Sequence, residues 1–111
     1  MAKGVFLEGR IISRERLVRD TNQKVTFYSM NTVKGWLQLT IDKGIDMKKI
    51  EVPGLVRVRV TSVKIKTNVL DDGREFKNKV AYVTEIENVE TSPEFEDYEQ
   101  ARLEEKLEQV L

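Results

Sequence analysis

The sequence predicts a mainly β chain, a five-stranded Greek-key barrel with a short helix between strands 3 and 4 and a C-terminal α-helix. Three observations predict it. Five runs rich in β-branched and aromatic residues, with period-2 patterning, fill the first four-fifths of the chain. One polar connection, too long for a hairpin turn, separates the third run from the fourth. A charged segment with helical spacing follows the fifth.

The first run, residues 5–16, sets Val5, Leu7 and Ile11 on one face and Phe6, Glu8, Arg10, Ile12, Arg14 and Arg16 on the other, the alternation of a half-buried strand. Gly9 inside it marks a bend or bulge where a first strand curves between sheets. Residues 19–23 are polar and close a hairpin. In the second run, residues 24–33, Val25, Phe27 and Ser29 alternate with Lys24, Thr26, Tyr28 and Met30. Either set fits an inward face, and since Tyr28 adjoins Phe27, one of the two rings is core; Tyr28 is taken as the outward one. Lys34-Gly35 makes a tight turn. Across residues 36–41, Leu37, Leu39 and Ile41 form the core face, leaving Trp36 on the other.

Asp42 can cap a short helix over residues 42–50, with Ile45 and Ile50 inward and Lys48-Lys49 near its C-terminal end, although Gly44 weakens it. Pro53-Gly54 stops it. The fourth run, residues 55–66, places Val56, Val58 and Val60 inward and Arg57 and Arg59 outward. Its phase slips at Ser62, so that Val63 and Ile65 alternate with Lys64 and Lys66, the trace of a β-bulge. Asp72-Gly73 is a hairpin turn. The last run, residues 76–89, sets Val80, Tyr82 and Ile86 against Lys77, Lys79 and Val83. Ser92, Pro93 and Glu94 then open a helix as N-cap, first-turn proline and dipole partner. Phe95, Tyr98, Leu103, Leu107 and Val110 give it an imperfect apolar stripe. The β-β-β-α-β-β order is that of the OB-fold, with residues 1–90 forming the barrel and 91–111 an acidic helical tail. That fold binds oligonucleotides or oligosaccharides on one sheet face and two loops.

Composition narrows the chemistry. Cysteine and histidine are both absent from the 111 residues, which removes disulfides, thiolate metal sites, imidazole bases and any Ser-His-Asp nucleophile. Asp71-Asp72 lacks further acidic ligands at calcium-loop spacing and reads as a turn. No catalytic residue, metal site or cofactor motif is expected, and the chain reads as a binding protein, not an enzyme. No apolar run approaches the ~20 residues of a membrane span, and no signal-peptide core follows Met1. A cytoplasmic protein is the simple expectation.

The formal net charge of zero conceals a division. Residues 1–90 carry 17 Lys/Arg against 12 Asp/Glu, whereas residues 91–111 carry two basic and seven acidic groups. A basic body with an acidic appendage points to a polyanion partner. The basic residues sit on outward parities: Arg10, Arg14 and Arg16 on the first strand, Arg57 and Arg59 on the fourth, then Lys64, Lys66 and Lys77 with Lys79. First and fourth strands neighbour one another in an OB barrel, so these arginines are expected to form one basic stripe. Single-stranded nucleic acid needs such a groove for its phosphates and aromatic planes on which bases stack. Tyr28, Trp36 and Phe76 are the candidate planes, and Lys24 the cation nearest Tyr28. Each also has a structural reading: the arginines as a salt-bridged strand face with Glu8, Glu15, Glu85 and Glu87, and Trp36 as a lid on the barrel end.

The segment Val52-Pro53-Gly54-Leu55-Val56-Arg57-Val58, leading into Val60-Thr61-Ser62-Val63-Lys64-Ile65, resembles the fourth strand of the small OB-fold single-stranded DNA-binding proteins of bacteriophages, the filamentous-phage gene V type in particular. The resemblance covers about 14 residues and agrees with the element order. It implies a homodimer that coats single-stranded DNA cooperatively, in the host cytoplasm if phage-encoded. By region it gives binding roles to Tyr28, Arg16, Arg19 and Lys24. Two departures stand against it: residues 67–79 are longer than that pattern, and the acidic tail is extra. The tail is similar to the acidic C-termini through which bacterial single-stranded DNA-binding proteins recruit partners, without their terminal aspartates and phenylalanine. It can also pair with a second subunit or compete with DNA for the basic face. A sequence-tolerant single-stranded DNA-binding protein acting in replication or recombination is therefore expected. An RNA-binding barrel and a protein–protein adaptor working through residues 92–111 are the alternatives.

Overall fold

The structure, a computed structural model, describes residues 4–18 and 20–110. Five strands form in chain order: β1 (Val5–Val18), β2 (Gln23–Thr32), β3 (Gly35–Ile41), β4 (Gly54–Val69) and β5 (Glu75–Asn88). One helix, α1 (Pro93–Val110), follows. The strands close into a barrel in the order β1-β2-β3-β5-β4, with β4 returning to β1. Every pair is antiparallel except β3 with β5. The five-stranded OB architecture read from the sequence is the one observed.

The barrel closes because the inward parity of each strand is apolar. Ile11, Met30, Leu37, Leu39, Val56, Val58, Val60, Ala81 and Val83 form one buried cluster. Leu7, Tyr28, Ile41, Ile45 and Ile86 pack against it. Gly9 pairs with Val56 just where β1 passes from its β4 neighbour to its β2 neighbour. A Cβ there would lie 1.9 Å from the Asn31 carbonyl oxygen, so only glycine permits the approach.

Three expectations are corrected. The helix over residues 42–50 is reduced to a single 3-10 turn, Met47–Lys49, capped by Asp46 accepting from the Lys48 N–H at 3.1 Å. Asp42 instead accepts from the Gly44 N–H, a local turn that competes with helix at its proposed start. On β5 Ile86 does not share the face of Val80 and Tyr82: Ala81 and Val83 are buried, and Ile86 packs with them on the core. Ile86 rejoins the core side because Thr84 is an extra residue: Arg59 pairs with Glu85 and Val60 with Val83. The third correction concerns Tyr28, which packs on the core while Phe27 faces out. The slip expected at Ser62 is present one residue earlier, at Thr61, skipped between the Val60–Val83 and Ser62–Tyr82 pairs.

β1 and β4 also run past their expected ends, to Val18 and Val69. Backbone pairing with the partner strand continues there after burial has ceased. These extensions make two hairpin arms. One comprises the outer parts of β1 and β2; the other runs from Ser62 on β4 around Gly73 to Lys79 on β5, and nearly all its residues are exposed.

Ser92 precedes α1 as expected, its carbonyl accepting from the Glu96 N–H at 2.8 Å. Its hydroxyl, however, donates to Glu8 at 3.0 Å, pinning the helix start to β1. Phe95, 1% exposed, buries the first turn.

Candidate nucleic-acid interface

Register defines the outward surface of the barrel. Paired residues share a face, so Ile12, Ser29, Gln38, Val80 and Lys64 form one unbroken row across all five strands. At ~4.8 Å per strand the row follows the curved outer surface of the closed barrel for about 19 Å. Rows parallel to it contain Arg10–Asn31–Trp36 on one side and Arg14–Phe27, then Arg16–Val25, on the other. On the second arm the same parity continues as Lys66–Asn78 and Asn68–Phe76. This wall therefore combines cations, amides, hydroxyls and four rings, Phe27, Trp36, Phe76 and Tyr82, which are 39%, 57%, 43% and 37% exposed. Arg14, Arg16, Lys64 and Lys66 form no ion pair among the described residues.

Seven of the twelve expected binding residues share this wall: Arg10, Arg14, Arg16, Trp36, Lys64, Lys66 and Phe76. Five do not. Tyr28 is turned inward, and Lys24, opposite Leu17, has Tyr28's parity. Lys77, opposite Thr67, occupies the reverse face of the second arm. Arg57 and Arg59 lie on the wall of β1, β4 and β5, where the expected single stripe is broken by acids. Arg57 faces Glu8 on one side and Glu87 on the other. Its guanidinium sits 4.5 Å over the Phe6 ring, and Arg59 approaches Glu85 at 3.7 Å. First and fourth strands are neighbours as expected; Arg59 takes the salt-bridged alternative with Glu85, whereas Arg57, in register with Glu8 and Glu87, covers the Phe6 ring and forms no ion pair among the described residues. Arg19 lies outside the described residues.

Arg10 is a special case. Its Nε and Nη2 donate to the two oxygens of Glu99 on α1 at 2.8 and 2.9 Å, a bidentate pair. That hydrogen bond raises the Arg10 pKa, and the guanidinium in turn holds the Glu99 carboxyl below its ordinary value. The helix thus places a carboxylate at the Trp36 edge of the wall, leaving the remaining cations to face solvent. At the β3 end, the Tyr82 hydroxyl donates to Asp42, raising the tyrosine pKa and lowering the aspartate's.

Phe27 is the principal residue that sequence reasoning missed. The signal was present: Phe27 shares parity with Ser29 and Asn31, both polar, whereas Tyr28 shares it with Met30, which is fully buried. Among the described residues no group of three or more acidic side chains gathers to hold a metal, and no helix is long and apolar enough to cross a membrane.

No family model matches the sequence, and no curated protein does. Among solved structures the chain is similar in fold to the mitochondrial single-stranded DNA-binding protein Rim1 of S. cerevisiae. The TM-score is 0.52 at 16% identity, covering 83% of this chain and 98% of that one. A small single-stranded DNA-binding protein from Streptomyces coelicolor superposes with a TM-score of 0.51 at 13% identity, covering 81% and 97%. At such identities the likeness establishes the shared OB-type barrel.

Proposed function

We propose that this chain is a sequence-tolerant single-stranded DNA-binding protein that coats DNA stoichiometrically during replication or recombination. One observation carries the reading: unpaired cations and exposed rings share a single outward wall flanked by two hairpin arms. Arg14, Arg16, Lys64 and Lys66 supply phosphate contacts, and Phe27, Trp36 and Phe76 supply stacking planes. The amides and hydroxyls between them hydrogen-bond without demanding one base. The two solved structures of similar fold, both of single-stranded DNA-binding proteins, support the same class. The gene V-like strand over residues 52–65 supports the phage manner of use, a self-associating coat protein acting in the cytoplasm, with the exposed part of the tail, residues 101–110, left to meet a protein partner. The chain binds, on this reading, without catalysing.

The test is titration of a fluorescein-labelled thymidine oligomer of about 20 nucleotides at two salt concentrations, followed by anisotropy and by Trp36 emission. Salt-sensitive binding with quenched Trp36 is expected, and a uridine oligomer and a duplex compete more weakly. Absence of binding at low salt overturns the proposal and favours an adaptor acting through α1. Tighter binding of the uridine oligomer reassigns the wall to RNA.

A further inference from the structure

An unpaired carboxylate stands on the wall assigned to a polyanion. Asp42 lies two residues beyond Thr40, and Thr40 pairs with Tyr82, so Asp42 continues the outward parity of that row. It forms no ion pair among the described residues, unlike Glu99, which answers Arg10. Its place is nevertheless fixed. The Asp42 N–H donates to the Val83 carbonyl at 2.9 Å, continuing the contact of β3 with β5. One carboxylate oxygen accepts from the Tyr82 hydroxyl and the other from the Gly44 N–H at 3.1 Å. These two bonds, the Tyr82 bond above all, hold the carboxyl below its ordinary range, so it is an anion that only accepts.

Burial does not call for this arrangement, because Tyr82 is exposed and water can serve its hydroxyl. The surroundings fit a nucleotide instead. Tyr82 pairs with Ser62 on its other side, which sets Lys64 on the diagonal, about 7–8 Å away. Lys64 is a cation without an ion pair among the described residues, open to a phosphate. The Tyr82 ring offers a plane to a base. Asp42 stands at the hydroxyl edge of that plane, beside the edge of any base stacked there. Each of its oxygens carries one hydrogen bond and keeps a further lone pair.

We propose that Lys64, Tyr82 and Asp42 form a nucleotide subsite that prefers bases bearing an exocyclic amino group. Cytosine, adenine and guanine each offer such a donor, and cytosine N4 is a donor that aspartate and glutamate accept from. Thymine and uracil carry a carbonyl oxygen where cytosine has its amine, and that oxygen and the carboxylate are both acceptors. The preference is graded, since one subsite along a longer strand carries it, and the wall as a whole stays sequence-tolerant. The inference rests on the proposed single-strand binding and adds to it the class of base favoured.

The experiment is anisotropy titration of the full chain with labelled deoxycytidine and deoxyuridine oligomers of about 20 nucleotides, at one salt concentration and slightly alkaline pH, where cytosine is neutral. The two bases share one ring size, so stacking is matched and the amino or carbonyl group sets the ratio of affinities. The wild type should bind the deoxycytidine oligomer about 3- to 10-fold more tightly, the effect of one part-exposed hydrogen bond. Asp42→Asn removes a repelling charge, so it should bind deoxyuridine at least as tightly as the wild type and bring the ratio to parity. Tyr82→Leu should weaken both and also bring the ratio to parity. Thermal unfolding checks that both variants fold, and the wild-type ratio needs neither. Equal affinity of the wild type for the two oligomers overturns the subsite and leaves the wall standing. So does a cytosine preference that persists in Asp42→Asn or in Tyr82→Leu. Binding of neither oligomer overturns the proposed function, and the subsite with it.

Discussion

Replacing Phe27 with alanine separates the interface derived from the structure from the one read in the sequence. Phe27 stands on the outward wall opposite Arg14, and its neighbour Tyr28 packs on the core. A stacked ring contributes about 1–3 kcal/mol per base, so its loss should weaken oligothymidine binding about 5- to 150-fold. The folded state loses less. Phe27 is 39% exposed and lies at the foot of the first arm, where removal of a half-buried ring costs about 1 kcal/mol. For a domain of this size that lowers the Tm by roughly 4–8 °C. Tyr28→Ala should do the reverse, removing a ring from the core edge at a cost of about 2–3 kcal/mol, while Tyr28→Phe should leave binding unchanged. The assay is anisotropy titration at one salt concentration alongside thermal unfolding of each variant. Binding within twofold of wild type for Phe27→Ala, together with a loss for Tyr28→Phe, would refute the assignment of the wall.

Three further predictions address charge and backbone. Arg14→Gln and Arg16→Gln should each reduce the slope of log affinity against log salt by about 0.7, while Arg57→Gln, removed from the wall and in register with Glu8 and Glu87, should leave it unchanged; a slope that falls only with Arg57→Gln would restore the single-stripe arrangement. The Glu99 carboxyl is held low by Arg10, so the stabilisation from this pair is complete above the ordinary carboxylate range and is lost as pH falls through the depressed folded value. Glu99→Gln should therefore lower stability by about 0.5–1 kcal/mol at neutral pH, the pair being part-exposed, with the difference from wild type vanishing in acid; a constant difference across the pH range would contradict the ion-pair account. Gly9→Ala should destabilise strongly, by about 3 kcal/mol or more, because its Cβ meets the Asn31 carbonyl rather than a yielding side chain; denaturant unfolding checks this.

The sequence by itself determined the strand count and order, the turns at Gly35 and Gly73, the bulge near Ser62 and the start of the tail helix at Pro93. Each depends on local chemistry: alternating apolar residues, glycines at positive φ and a proline in the first helical turn. Trp36 was legible as outward because Leu37 and Leu39 bracket its parity unambiguously. On β2 both parities carry aromatic residues; the polar company of Phe27, Ser29 and Asn31, pointed outward, and the packing of Met30 against Ile11 and the rest of the core decided it. The partners of the arginines were likewise beyond local reading. Parity shows that Arg10 and Arg59 point outward, but their charge is answered by Glu99 and Glu85, tens of residues away in the chain. Barrel closure and the docking of α1 bring those groups together. Tertiary structure alone therefore decided which cations remain free for a polyanion, because charge compensation is set by distance in space and not by spacing along the chain.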